Sequence, residues 1–156
     1  MSMRKIAVIS DSHGGKVRLD MFSRIAAEEK FDLIIHCGDG VSDAKQLEKA
    51  TGIKVKKVAG NCDFYDRIER ELIFTEEGVR MLAVHGDRYN VKWGLTTLSY
   101  YAEEKCVKVA LYGHTHQAFA GFVGNTLLVN PGALKDGKYA ELHIRDGQAV
   151  PFLKEF

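Results

Sequence analysis

The sequence predicts an α/β fold built on two sheets, and three observations predict it. Three successive βα-like units open the chain, each with a short apolar run that ends in glycine and polar residues. The second half is richer in strands and carries two hairpin signals, Glu76-Glu77-Gly78 and Asp146-Gly147. No internal repeat, low-complexity segment or composition break divides the 156 residues. One domain spanning residues 1–156 is therefore expected, and a chain of that length buries about 70% of the surface its unfolded form exposes.

Taken in order, Arg4 to Ser10 reads as a buried strand that stops at Asp11-Ser12-His13-Gly14-Gly15. Val17 to Lys30 has helical spacing through Leu19, Phe22, Ile25 and Ala26. Phe31 to His36 is a second strand, broken by Gly38-Asp39-Gly40, and Ser42 or Asp43 is expected to cap a short helix running through Leu47. A third strand, Lys54 to Ala59, stops at Gly60-Asn61-Cys62-Asp63. Strands at Arg70 to Thr75 and Val79 to Val84 precede His85-Gly86-Asp87, and Trp93 to Glu104 is expected to be helical. Val107 to Tyr112 ends at Gly113-His114-Thr115-His116, and four further strands cover Phe119 to Val123, Thr126 to Val129, Tyr139 to Ile144 and Ala149 to Leu153. The first three units imply a largely parallel sheet with polar clusters along its carboxyl edge.

Composition narrows the function. Hydrophobic residues make up 46% and charged residues 28%, which excludes a disordered, fibrous or disulfide-scaffold chain. Lys and Arg number 22 against 21 Asp and Glu, so no general field attracts nucleic acid or anionic lipid, and a local site must supply any affinity for phosphate. The three cysteines form no CxxC pair and are expected to be reduced thiols. No apolar run approaches the ~18 residues of a membrane span. The opening Met-Ser-Met-Arg-Lys lacks a secretory pattern, so the expected location is cytoplasmic.

Five polar clusters fall at strand ends: Asp11 with His13, Asp39, Asn61 with Asp63, His85, and His114 with His116. Each has an ordinary explanation. Asp11 suits a turn or cap, Gly38-Asp39-Gly40 a turn, Asn61 a left-handed residue and His85-Gly86 a solvated loop. Two histidines two apart have fewer structural uses, and the joint occurrence of oxygen and imidazole donors favours metal binding. Extended backbone at residues i and i+2 would let Asp11 and His13 grip one ion and let His114 and His116 reach two. Two divalent cations ~3.5–4 Å apart would generate a hydroxide near neutral pH and clamp a phosphoryl group.

The order Asp11-x-His13, Gly38-Asp39, Gly60-Asn61-Cys62-Asp63, His85-Gly86 and Gly113-His114-Thr115-His116 resembles the calcineurin-like metallophosphoesterases. The length, the Gly-Asn-Cys-Asp form and Asn130-Pro131-Gly132 are similar to the small bacterial and archaeal phosphodiesterase branch. This resemblance implies two packed mixed β-sheets flanked by helices, a four-layer αββα sandwich. It implies one metal held by Asp11, His13, Asp39 and His116 and another by Asp39, Asn61, His85 and His114, with Asp39 bridging. Asp39, Asn61 and His85 become the candidate catalytic residues, and Asn61 and Cys62 the candidate substrate contacts. Mn²⁺ is the implied ion, and the donor set also suits Fe²⁺, Ni²⁺ or Zn²⁺.

Two departures stand out. Cys62 stands where many relatives carry a histidine that can protonate the leaving oxygen, and Asp87 stands where relatives often have a second histidine. Asp87 is expected to orient His85 or to face solvent. His36 reads as a core histidine, His143 as a surface strand residue, and Lys54, Lys56 and Lys57 as a solvated strand face. Trp93, Tyr100 and Tyr101 read as helix packing.

The expected function is hydrolysis of a small-molecule phosphoester, a phosphodiester or phosphomonoester, by a hydroxide held on two metals. The alternatives are a protein-binding scaffold, as in the retromer subunit of similar fold, and a nuclease. Retention of every expected ligand opposes the scaffold, and neutral charge opposes the nuclease. Relatives often pair, so a homo-oligomer fits the resemblance.

Overall fold

The computed structural model describes residues 3–64 and 67–156; part of the opening stretch read for a leader, Met1 and Ser2, lies outside them. Ten strands and three helices occupy the described chain. In order they are β1 (Arg4–Ile9), α1 (Lys16–Glu29), β2 (Leu33–His36), α2 (Val41–Thr51), β3 (Val55–Lys57), β4 (Glu71–Glu76) and β5 (Val79–Val84). Then follow α3 (Thr96–Glu104), β6 (Val109–Leu111), β7 (Phe119–Val123), β8 (Thr126–Asn130), β9 (Lys138–Arg145) and β10 (Gln148–Glu155).

Both sheets are mixed and five-stranded, with orders β10-β9-β1-β2-β3 and β4-β5-β6-β8-β7. The strands β1, β2 and β3 run parallel, as do β5, β6 and β8, while β9, β10, β4 and β7 pair antiparallel. Alternation along β1 explains why its sequence reads as one apolar run. Ile6 and Val8 face the second sheet's Met81, Leu111 and Val129, whereas Ala7 and Ile9 join Leu19, Phe22 and Leu47 of α1 and α2. On the far side, Leu82, Val84, Ala110 and Leu128 meet Leu98 and Ala102 of α3. The layers are thus helix pair, sheet, sheet, helix. A side chain such as the fully buried Phe22 contributes about 1.5–3 kcal/mol to holding them together.

The two hairpins turn as their sequences require. Glu77 and Gly78 have φ of 46° and 81°, and Asp146 and Gly147 have 52° and 74°, the paired positive values of a two-residue turn matched to strand twist. Glu76 belongs to β4, paired with Val79, so that turn is one residue shorter than expected.

Three local expectations are corrected. Gly40 precedes α2, which places Ser42 and Asp43 inside the helix rather than at its cap. The first amides of α2 instead donate to Asp63 from the next loop. Trp93 lies before α3 and is 91% exposed, and Tyr100 is also exposed, so α3 packs through Leu98 and Ala102. Lys56 and Lys57 are half-buried, and Lys56 Nζ lies 5.2 Å from the centre of the Phe74 ring. Among the described residues, no helix is long and apolar enough to cross a membrane.

Candidate metal centre

Parallel strands end together, and the loops after β1, β2, β3, β5 and β6 meet at one edge of the two sheets. Backbone bonds lace these loops: Asp11 N donates to Gly38 O at 2.9 Å, His13 N to Asp39 O at 3.0 Å, and Gly113 N to His85 O at 2.9 Å. The extended i, i+2 geometry expected for the histidine and aspartate pairs is not what positions them. Asp11, His13, Asp39, His114 and His116 all have left-handed φ, between 47° and 70°. Each such residue costs roughly 1–2 kcal/mol relative to ordinary backbone, a strain that the loop cross-links sustain. Close packing enforces glycine nearby. A Cβ on Gly38, at φ 103°, would lie 2.7 Å from His85 Nδ1, and one on Gly113 would collide with Ser10 Oγ.

The carboxylate of Asp11 is fully buried and unequally served. Its Oδ2 accepts from Ser10 Oγ at 2.7 Å and from His114 N at 3.0 Å. Its Oδ1 has no hydrogen-bond partner, yet His116, His13 and His85 present Nε2 to it at 3.2, 3.5 and 3.8 Å. A buried carboxylate oxygen left without a donor is costly unless a cation sits against it. Asp39 is arranged in the same way. Cys62 N donates to its Oδ1 at 2.8 Å, while its Oδ2 faces His85 Nε2 at 3.2 Å and His13 Nε2 at 3.7 Å. Burial works to raise the Asp39 carboxyl, but the His85 hydrogen bond and charge hold it well below the usual carboxylate range.

The imidazoles have defined orientations. His85 Nδ1 donates to Cys37 O at 2.8 Å, because a carbonyl can only accept, and this turns Nε2 inward. The Cys37 carbonyl therefore fills the orienting role considered for Asp87, which lies half-buried in a single 3₁₀ turn, Asp87–Tyr89. Burial works to lower His85, whereas the Asp39 hydrogen bond and the charges of Asp11 and Asp39 outweigh it and raise it. His114 Nδ1 lies 3.1 Å from His85 Nε2, and burial and the charge of His85 lower its pKa. His116 turns to Asp11 instead, so the two histidines of Gly-His-Thr-His do reach separate positions.

Three sets of donor atoms result, each within 4.8 Å: Asp11, His13 and His116; Asp39, His85 and His114; and His13, Asp39 and Cys62. The first two fall within the two ligand sets that the resemblance implies, the first without Asp39, whose Oδ2 lies 3.7 Å from His13 and 3.2 Å from His85. The orphaned Asp11 oxygen and the converging nitrogens fit divalent cations. Asn61 stands in the turn after β3, exposed, with Nδ2 3.7 Å from Cys62 Sγ. Burial and the charge of Asp39 push the Cys62 thiol up, which does not activate it as a nucleophile. A groove of 720 Å³ opens beside His13, Asp39 and Cys62 and runs out past Lys16, Gln46 and Phe64. A second cavity of 440 Å³ borders His85 and is lined by Arg67, Arg70 and Arg88.

Several supporting residues escaped the sequence reading. Asp63, grouped there with the polar donors, is a brace: Oδ2 accepts from Asp39 N and Gly60 N, both at 2.8 Å, and Oδ1 from Gly40 N at 3.1 Å and Val41 N at 3.2 Å. His36 is the satisfied core histidine expected. Gly38 N donates to its Nδ1 at 3.1 Å, so Nε2 carries the proton toward Ser12 Oγ at 2.9 Å. Ser12 then donates to Asp43 at 2.6 Å, and Gly14 N donates to the same oxygen at 2.8 Å. This chain fixes the loop bearing Asp11 and His13, and burial lowers His36 to about 4. Asn130 fixes the last loop, donating to Gly113 O at 3.2 Å and Thr115 Oγ1 at 2.9 Å. The Asn-Pro-Gly turn was its only signal. His143 is half-buried, paired with Glu141 at 2.9 Å.

Known proteins resemble the chain over most of its length. The chain is 33% identical over 132 residues to a probable metallophosphoesterase of Bacillus subtilis, covering 83% of this chain and 75% of that protein. A phosphodiesterase of Methanocaldococcus jannaschii is 25% identical over 143 residues, with 82% of each chain covered. A crystal structure of a predicted phosphoesterase from Streptococcus pneumoniae superposes with a TM-score of 0.83 at 26% identity, covering 99% of this chain and 91% of that one. Residues 3–146 match the calcineurin-like phosphoesterase superfamily domain, and the chain belongs to that superfamily.

Proposed function

We propose that this protein is a metal-dependent phosphodiesterase or phosphatase acting on a small-molecule phosphoester. The observation that carries the reading is the fully buried, partnerless Asp11 Oδ1 with three imidazole nitrogens aimed at it, beside an Asp39 oxygen shared between histidines. Asp11, His13, Asp39 and His116 would hold one cation, and Asp39, Asn61, His85 and His114 the other. Mn²⁺ is the proposed ion. When bound, such a pair acidifies water and offsets charge on phosphoryl oxygens.

The chain's own residues set the conditions for that chemistry. Asp39 stays ionised and supplies negative charge between two positive positions. Cys37 O holds His85 with its Nε2 turned inward, and Ser10 with His114 N fixes the Asp11 carboxylate so that Oδ1 alone faces the centre. The groove beside His13 and Cys62 gives a small substrate access to the same edge. Position 62 carries cysteine where a histidine could protonate a leaving oxygen, which favours substrates whose leaving groups need little protonation.

The test is turnover of an activated aryl phosphodiester by the Mn²⁺-loaded protein. Asp39→Asn should abolish it. Metal-independent turnover, or full activity in Asp39→Asn, would overturn the proposal.

A further inference from the structure

Cys62 is the one sulfur among the converging donors. Its Sγ lies within 4.8 Å of a His13 nitrogen and an Asp39 oxygen, and the three side chains come from three different loops. The thiol is free and exposed at the groove mouth, and Asn61 Nδ2 approaches it at 3.7 Å. A second observation ties this set to a cation. His13 Nε2 also lies 3.5 Å from Asp11 Oδ1, the fully buried oxygen without a hydrogen-bond partner. The imidazole that borders the thiol thus borders the strongest unmet demand for positive charge.

Resting on the metal centre proposed above, we propose that Cys62 is a metal-binding thiol, which gives the centre a third kind of donor and lets it hold thiophilic cations as well as Mn²⁺. Thiolate, imidazole and carboxylate together suit Zn²⁺, Co²⁺ or Cd²⁺, whereas Mn²⁺ and Mg²⁺ favour oxygen donors. The sulfur–metal bond forms from a sulfur lone pair as the thiol proton passes to solvent, and no electron is transferred.

Titration of chelator-treated protein with Co²⁺ or Cd²⁺ tests the thiol separately from the centre. Wild type should develop cobalt d–d bands together with a near-ultraviolet sulfur-to-cobalt charge-transfer band. Cys62→Ser should keep the d–d bands and lose the charge-transfer band, while Cys106→Ser, altering the other exposed thiol, should keep both. Cd²⁺ affinity of Cys62→Ser should fall at least about tenfold, because even partners that only orient ligands are worth 10–100-fold. Wild-type d–d bands without a charge-transfer band would overturn the thiol proposal and leave the centre standing. A charge-transfer band that survives in Cys62→Ser would overturn it too. Absence of any Co²⁺ binding would overturn both readings.

Discussion

Replacing Asp63 by alanine should unfold the protein more easily and loosen the centre, although Asp63 belongs to none of the converging donor sets. Its carboxylate accepts four backbone amides from two loops, at 2.8 to 3.2 Å. A hydrogen bond to a charged group contributes ~1.5–3 kcal/mol. The two longer bonds, at the start of α2, can be replaced by water more readily than the two short ones. Counting only the short bonds at the lower value gives about 3 kcal/mol, and loss of an anion at the N-terminus of α2 adds ~0.5 kcal/mol. For a chain of this size that total, about 3.5 kcal/mol, lowers Tm by roughly 7–14 °C. The amide of Asp39 is one of those released, so Mn²⁺ affinity should fall as well. Denaturant melts of chelator-treated wild type and Asp63→Ala, followed by Mn²⁺ titration calorimetry, measure both effects. A stability loss below about 1 kcal/mol with unchanged Mn²⁺ affinity would refute the bracing argument.

Other consequences are as specific. Asp39→Ala should lose both ions, since adjacent cations then lack the charge between them, while His85→Ala should keep the ion at Asp11, His13 and His116; metal analysis after dialysis reads this directly. Aryl phosphodiesters should outpace alkyl ones by about 10²–10⁴, the usual worth of a general acid, and equal rates with chemistry limiting would contradict the absence of an acid at position 62. His36 should remain neutral down to about pH 4, as its NMR titration would show, and a midpoint near 6.5 would contradict its burial. Because its folded pKa is depressed, the unfolded chain takes the proton first. Its contribution is intact above pH 6.5 and is lost as pH falls toward 4, by about 3 kcal/mol.

The strands were legible because a strand buried on both faces cannot hide its apolar run, as Ile6 to Ile9 and Val109 to Leu111 illustrate. The donor clusters were legible because each interrupts such a run at its carboxyl end. What composition conceals is which polar residue in a turn meets the centre and which meets the backbone. Asp63 and Asp43 have the same chemistry as Asp11 and Asp39, and only the folded position of the surrounding amides separates brace from donor. The convergence of His114 and His116 on different carboxylate environments was anticipated through extended backbone, whereas left-handed turns achieve it. That difference is invisible in spacing, because it depends on cross-links such as Gly113 N to His85 O. Trp93 shows a further limit, since helical spacing continues through a residue that the chain leaves outside the helix.

A centre that holds two cations bridged by Asp39 has a definite metal stoichiometry. Chelator-treated protein dialysed against Mn²⁺ to saturation should retain two ions per chain, with an electron paramagnetic resonance spectrum showing magnetic coupling between them. Saturation at one ion per chain, or two uncoupled ions, would contradict the account.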